Sequence, residues 1–553
     1  MKHSSITRRD FLKGSMALTG LTIAVSVSPL GCELVNASEK DKGEILTFSP
    51  NAWFAITPDN RVTIFVGNTE MGQGVLTAHS MIIADELEAD WKQVQVRQAP
   101  AADDYKSPIL GAQITVGSAS IRGFYEPLRK AGAAGRSMLL KAAASTWNVP
   151  ENECKAFMGA VKHEKSGRSL SYGQLCIEAA KLQVPQDPPL KNESEFRYIG
   201  KSMPRVDVPE KVSGKAVFGL DVAVKDLHYA VIARPPAYGA KLVSYDEKAA
   251  QQIQGVQKVI SVPQGIAVCA KSIDAALKGR DVLKAKWDKG ILPEMDNNYI
   301  EKSLTEDLNK PGATVVNTGD AKKTVNDAPK KVEATYYVPC VAHATMEPMN
   351  CTAAVSDDRC EVWAPVQNQS GALAVASKVS GLPMEKIRVN TTFLGCGLGR
   401  RAMPDFVAEA VIISKAMAKP VKVMWTREED IRYDAFRAPA SHRIEAGLDN
   451  QGQLISWSHK VVSPSIMKGI RPDAIKDGID FYCLWGLADA PNSPMLNNRI
   501  QYEIPNLHIE FLISPLPMPV APWRSVQNGP NAFVIESFID ELAKAAGKDP
   551  LEF

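Results

Sequence analysis

The chain has 553 residues, of which 45% are apolar and 23% charged, the values of a folded globular protein rather than a disordered one. Its 64 Lys and Arg against 62 Asp and Glu leave a formal net charge of +2, which excludes the basic footprint of a nucleic-acid binder. At about 150 residues per domain, this length allows three or four domains.

Thr7-Arg8-Arg9-Asp10-Phe11-Leu12-Lys13 reads as a twin-arginine export motif. An apolar stretch follows over 16–30, and Val35-Asn36-Ala37 offers a small-residue cleavage site. Pro29-Leu30-Gly31-Cys32 is a rival lipoprotein site that Pro29 fits badly. Residues 1–37 are therefore expected to be a removable signal that carries a folded chain to the periplasm. No later stretch approaches the ~18 uninterrupted apolar residues of a membrane span, so none is expected after cleavage. The nine cysteines include no Cys-x-x-Cys, which argues against zinc or an iron–sulfur cluster in this chain. Most lie in apolar strings such as Ala267-Val268-Cys269-Ala270 and are expected as buried free thiols.

A hairpin is predicted over 53–56 and 61–66, closed by Pro58-Asp59-Asn60. The Gly-rich loop Glu70-Met71-Gly72-Gln73-Gly74 precedes a helix over 76–89 and a strand over 94–97. A long helix over 118–147 is expected, capped by Ser118 or Ser120, with Ile121, Phe124, Leu128, Met138, Leu139 and Ala142 inward. Short strands follow at 216–219, 229–233, 256–261 and 266–270, and the polar stretch 288–330 reads as a linker. A strand over 387–392 leads into Gly395-Cys396-Gly397-Leu398-Gly399-Arg400-Arg401, then a helix over 405–417 and a strand over 421–425. A hairpin over 443–448 and 454–459 comes next. A helix over 530–546 places Phe533, Ile535, Phe538, Ile539 and Leu542 inward and ends at Gly547.

Both Gly-rich loops stand between a strand and a helix, where backbone amides approach an anion closely because glycine has no Cβ. Each is read as a tight turn or as a binding site. Neither completes the Gly-x-Gly-x-x-Gly dinucleotide fingerprint. The chain also lacks a nucleotide-phosphate loop, a Gly-x-Ser-x-Gly elbow and a His-Glu-x-x-His zinc motif. His343 and Glu347 have helical metal-ligand spacing but no third ligand, so a hydrogen-bonded structural pair is expected. Glu428-Glu429-Asp430 reads as a solvated turn, and Trp363 and Trp523 as core.

Taken together, these strings resemble the molybdopterin-binding large subunits of the xanthine oxidase family, in particular the branch of isoquinoline 1-oxidoreductase beta subunits and periplasmic aldehyde dehydrogenases. The strings that carry it are Glu70–Gly74, Thr115-Val116-Gly117-Ser118, Ala342-His343-Ala344-Thr345-Met346-Glu347-Pro348, Gly395–Arg401, Trp425-Thr426-Arg427-Glu428-Glu429-Asp430, Pro522-Trp523-Arg524-Ser525 and the helix Glu536–Ala543. The resemblance runs from about residue 45 to 553. It implies a fold of the α+β / α/β class: molybdopterin-binding domains of the xanthine oxidase type with an α/β hammerhead domain. The implied division is a signal over 1–37, a molybdopterin-binding segment permuted to the N-terminus over 38–195, the hammerhead over 196–300, a linker over 301–330, and a second molybdopterin-binding domain over 331–553 that is incomplete at its C-terminus.

The resemblance implies a molybdenum–molybdopterin cytosine dinucleotide cofactor. Gly72, Gln73, Gly74, Gly117 and Ser118 would face its pyrophosphate and pterin, and Gln367 would approach the metal's oxo group. Gly397 and the backbone amide of Leu398 would face the metal, with Arg524 beside it as a fixed cation. No residue would ligate the metal directly. Cys396 and Val116 stand where the family has glycines. The implied activity is oxidation of an aldehyde or N-heteroaromatic compound with water-derived oxygen. Electrons would leave through a separate small 2Fe–2S subunit, with a c-type cytochrome as a further acceptor. The family's catalytic glutamate, in a Gly-Glu string, has no counterpart in these residues and is expected beyond Phe553. The alternative reading is a truncated, non-catalytic remnant or an assembly or binding protein.

Overall fold

The computed structural model describes residues 48–291, 295–490 and 499–553, together with two paired two-residue strands, Leu21–Thr22 and Val35–Asn36. The twin-arginine string and Ala37 lie outside the described residues. The chain divides into two compact units. The first comprises Met1–Val224, Cys351–Gly395 and Ala402–Val411; the second comprises Lys225–Asn350, Cys396–Arg401 and Ile412–Phe553. Residues 196–224 fall in the first unit.

In the first unit, strands Phe54–Ile56 and Val62–Val66 pair antiparallel, and Thr57 and Arg61 close their turn. The helix Val75–Leu87 then carries the chain to Val94–Gln98, which runs parallel to Val62–Val66. This strand–loop–helix–strand crossover puts the Gly-rich loop at the C-terminal end of a strand, a position where parallel sheets bind ligands. The long helix Ala119–Trp147 packs against the first helix through small residues. A methyl group at Gly132 would lie 2.6 Å from the Ile83 carbonyl, and one at Gly135 2.4 Å from the Phe54 ring. Phe54, Ile64, Ile83, Leu87, Phe124, Leu128 and Leu139 form the core. Ile121 was expected inward, but it is 41% exposed in the first turn of its helix. Residues 216–219 form no strand; Phe218 makes a single bridge to Phe393. Strands Cys360–Ala364 and Ile387–Thr391 pair parallel, with the helix Gln369–Ser380 between them in sequence.

Besides a small antiparallel pair, Leu242–Ser244 with Lys286–Trp287, the described residues of the second unit form two larger sets of paired strands. One runs in the order Val256–Val262, Gly265–Ala270, His228–Ala233, Val421–Met424, the last pair parallel. The other has five strands in the order Ala313–Thr318, Asn506–Ile513, Leu454–Ser463, Ala440–Leu448, Lys330–Val338. The helix Asn528–Ala546 packs on the latter, with Phe538 edge-on to Trp457 at 5.0 Å between ring centres. Phe533, expected inward, is 54% exposed and rests edge-on against Tyr336.

The expected linker is ordered structure. Residues 295–330 contain the helix Asn297–Asp307, the strand Ala313–Thr318 and the helix Ala321–Asp327. Ile300, Leu304 and Leu308 recur every four residues and bury together, which the surrounding charge obscured in the sequence. Glu428, Glu429 and Asp430 likewise do not form a solvated turn. They lie in the helix Arg427–Arg432, whose first amides are satisfied by a Thr426–Glu429 capping box, and Asp430 is buried. All eight cysteines of the described residues are free thiols, and six are buried. No described helix is long and apolar enough to cross a membrane.

Candidate functional site

In the first unit, three distant segments join through buried polar side chains. Thr115 exchanges bonds with Gln367: its amide donates to the Gln367 carbonyl at 2.8 Å, and Gln367 Nε2 donates to its carbonyl at 2.9 Å. The Thr69 amide donates to Thr115 Oγ1 at 2.9 Å, and Thr69 Oγ1 donates to the Val366 carbonyl at 2.9 Å. Gln369 Nε2 reaches Thr69 Oγ1 at 2.7 Å. Gln113 Nε2 donates to the Gly67 carbonyl at 3.0 Å. Residues 67–74, 113–118 and 366–369 are thereby held in one place. The structure brings together Gly72, Gln73, Gly74, Gly117, Ser118 and Gln367 on these segments.

Two of those residues differ from expectation in what they offer. The amides of Gly72 and Gly74 are not open to a ligand; both donate to Glu70 Oε1, at 2.8 and 3.0 Å. Gln73 is exposed, but its side chain folds onto its own loop, Oε1 on the Met71 amide and Nε2 on the Thr69 carbonyl, each at 2.8 Å. Gln367 directs its Nε2 at Thr115 rather than leaving it open. Gly117 and Ser118 both take positive φ, 61° and 52°, just before the helix Ala119–Trp147. Ser118 stands at the helix start as expected, yet its side chain makes no cap there and is exposed. His79 instead grips the turn, its Nε2 3.0 Å from the Ser120 carbonyl. Burial pushes the His79 imidazole down to about 4.

The second unit builds its loop differently. Cys396 and Leu398 take φ of 76° and 57°, a conformation uncommon for residues with a Cβ. Gly399 sits at φ 111°, and a methyl group there would lie 1.9 Å from the Pro522 carbonyl. Arg400 Nε pairs with Asp434 Oδ1 at 3.0 Å. The other Asp434 oxygen faces His343 Nδ1 at 2.9 Å and also accepts the His343 amide. His343 Nε2 lies 3.2 Å from the Pro522 carbonyl. Arg401, fully buried, donates to the Glu347 carbonyl at 2.5 Å and to the Cys396 carbonyl at 2.9 Å. Burial pulls the Arg401 guanidinium down to about 10 against the favourable charge of Glu347. His343 and Glu347 were expected as a hydrogen-bonded pair, but they serve different partners, His343 with Asp434 and Glu347 with Arg401 and Asn350; the described residues hold no group of three or more candidate metal ligands. The loop places Gly397 buried and Leu398 half-buried. Arg524 is exposed, and Ser525 and Val526 follow it at φ 71° and 53° before the helix Asn528–Ala546. Trp363 and Trp523 are half-buried rather than core.

Sequence reasoning missed Glu70, Arg205, His79 and Asp434. Each acts on a partner remote in sequence or through backbone groups that carry no sequence signal.

Two molybdopterin cofactor-binding domain models match the chain, one over residues 4–230 and the other over 305–465. The chain is 28% identical over 601 residues to the isoquinoline 1-oxidoreductase subunit beta of Brevundimonas diminuta, covering 99% of this chain and 74% of that protein. It is 28% identical over 575 residues to the membrane-bound aldehyde dehydrogenase (pyrroloquinoline-quinone) of Gluconacetobacter polyoxogenes, covering 100% of this chain and 72% of that protein. Among solved structures, the aldehyde oxidoreductase of Desulfovibrio gigas aligns with a TM-score of 0.53 at 17% identity, over 69% of this chain and 46% of that one. The chain thus spans about three quarters of these two curated relatives and under half of the solved chain. The structural likeness establishes the fold expected from the sequence, a mixed helix-and-sheet arrangement of the xanthine oxidase type.

Proposed function

The chain belongs to the molybdopterin-binding proteins of the xanthine oxidase family, and from that premise we propose that it is the large subunit of a molybdenum hydroxylase. The observation that carries this reading is the pair of cofactor-domain matches, which fall on the segments that build both Gly-rich loops. When bound, the cofactor supplies a two-electron oxidation that adds water-derived oxygen to an electron-poor carbon. An aldehyde and water would give the carboxylic acid, two protons and two electrons. Aldehydes and N-heteroaromatic compounds are the substrate classes, and a separate 2Fe–2S subunit, with a c-type cytochrome beyond it, takes the electrons. The cytosine dinucleotide is the form of cofactor we propose, and the periplasm, reached by the twin-arginine route, the compartment.

The donor set of the chain suits such a ligand. In the first unit Asn68 Oδ1 and Gln369 Oε1 are buried without a hydrogen-bond partner, beside side chains that are otherwise paired. In the second unit the Trp523 Nε1–H is buried and unpaired. The spare acceptors of the first unit fit the N–H edge of a heterocycle, and the spare donor of the second, taken by itself, fits a C=O edge. Within the first unit, Gln73, Gly117 and Ser118 are the residues we assign to cofactor binding; within the second, taken by itself, they are Gly397, Leu398 and Arg524. Gly72 and Gly74 shape their loop, and Gln367 orients the Thr115–Ser118 turn. The Arg524 guanidinium would steady negative charge as it develops.

The test is turnover. The chain, purified with a co-expressed iron–sulfur subunit, is offered benzaldehyde and isoquinoline in ¹⁸O-labelled water with ferricyanide as acceptor. Substrate-dependent reduction with ¹⁸O in the product is expected. Label absent from the product, or no reduction with either compound, contradicts the reading.

A further inference from the structure

Glu70 is only 1% exposed, so its carboxylate requires strong compensation. Its Oε1 accepts the Gly72 and Gly74 amides, and its Oε2 accepts the Leu76 amide at 3.2 Å. Arg205 closes the fourth side, with Nη2 3.2 Å from Oε1 and Nη1 donating to the Gly72 carbonyl at 2.8 Å. Arg205 is itself fixed by Asp207 through contacts of 2.6 and 3.0 Å. Burial alone would raise the Asp207 carboxyl, but Arg205 and Lys211 outweigh it and hold it at about 2. Gly74, at the start of the helix Val75–Leu87, has no side chain with which to cap it. Glu70 caps it from four residues upstream. Amides at the start of a helix commonly receive a phosphate or another free anion; these receive a carboxylate of the chain itself.

We propose that Glu70 is a positioning residue, a built-in anion that fills the amide cradle of the Met71–Gly74 loop and is locked there by Arg205. The loop is therefore set before any ligand arrives, and the Gly72 and Gly74 amides, already taken by Glu70, are not the groups that meet that ligand. The second half of this statement rests on the reading of the loop as a cofactor loop; the first half stands on the fold alone.

Hydrogen exchange by mass spectrometry on the full chain tests it. In Glu70→Ala, exchange of the peptide spanning 70–77 should rise at least about tenfold while other core peptides stay unchanged. Formate at 100 mM, a small carboxylate able to enter the emptied cradle, should slow that exchange, and chloride at equal ionic strength should not. A residue that merely filled space would not respond to formate. Unchanged exchange, or formate acting no better than chloride, overturns the proposal. If Glu70→Ala does not fold, Arg205→Gln decides: it keeps the carboxylate and loosens its lock, so a smaller rise confined to 70–77 is expected, and no rise overturns the proposal. Molybdenum content of the wild-type chain is measured separately, so a metal-free preparation would count against the function and not against the lock.

Discussion

The first unit holds its Gly-rich loop with a side-chain carboxylate that collects three amides, while the second holds its own by close backbone approach and buried ion pairs. In the first, Gly72 has open space around it, and nothing lies within 4 Å of where a methyl group would stand. In the second, Gly399 is pressed against the Pro522 carbonyl, and Asp434 serves Arg400 and His343 at once. A carboxylate clamp tolerates small displacements because its bonds re-aim. A backbone-to-backbone contact does not, so the second loop is the more brittle of the two.

Four changes break or sharpen that contrast. The largest effect is expected from Asp434→Ala, which removes the buried carboxylate that Arg400 and His343 share; removing one partner of such a pair costs about 3–5 kcal/mol, read as a lower urea midpoint. Gly399→Ala comes next. It combines a φ of 111° with a backbone clash, and strain plus overpacking amounts to about 2–4 kcal/mol. Gly72→Ala has nearly the same φ, 110°, without the clash, so only the conformational strain remains, about 1–3 kcal/mol. A larger loss for Gly72→Ala than for Gly399→Ala would reverse the contrast.

The fourth test is a pH slope. His442 and His459 of the second unit are buried against each other at 3.0 Å. Burial pushes His442 down to about 3 and His459 well below 6.5. The unfolded chain binds protons there that the folded chain does not, so the stability is whole above pH 6.5 and falls as the pH drops below it. Each histidine contributes up to about 1.4 kcal/mol per pH unit. His79, held down to about 4, gives the first unit one such group against this pair in the second. Exchange measured from pH 7 to pH 5 should therefore weaken the five-stranded sheet of the second unit more steeply than the core of the first. Equal slopes would contradict the pairing.

The elements legible in the sequence were those with local causes. Alternation and turn residues placed the hairpin Phe54–Val66, and the glycines marked both loops. What was not legible depended on distance. Glu70 meets Arg205 across 135 residues, Gln367 meets Thr115 across 252 and His343 meets Asp434 across 91. No local pattern records which carboxylate will turn inward to claim a loop's amides. That is why Gly72 and Gly74 read as open donors when Glu70 had already taken them. The helix Asn297–Asp307 was missed for the opposite reason: its apolar spacing was present but thin within a charged surface. Phe533 lies on the correct helix but turns to an aromatic neighbour at the surface, a choice made by tertiary packing.

The chain is read as holding molybdenum on molybdopterin, in the dinucleotide form proposed above. That reading is tested most directly by metal analysis of the purified native protein together with the nucleotide released by acid. Molybdenum and CMP, each near one per chain, are the predicted result. A folded, monodisperse preparation that contains neither would contradict it.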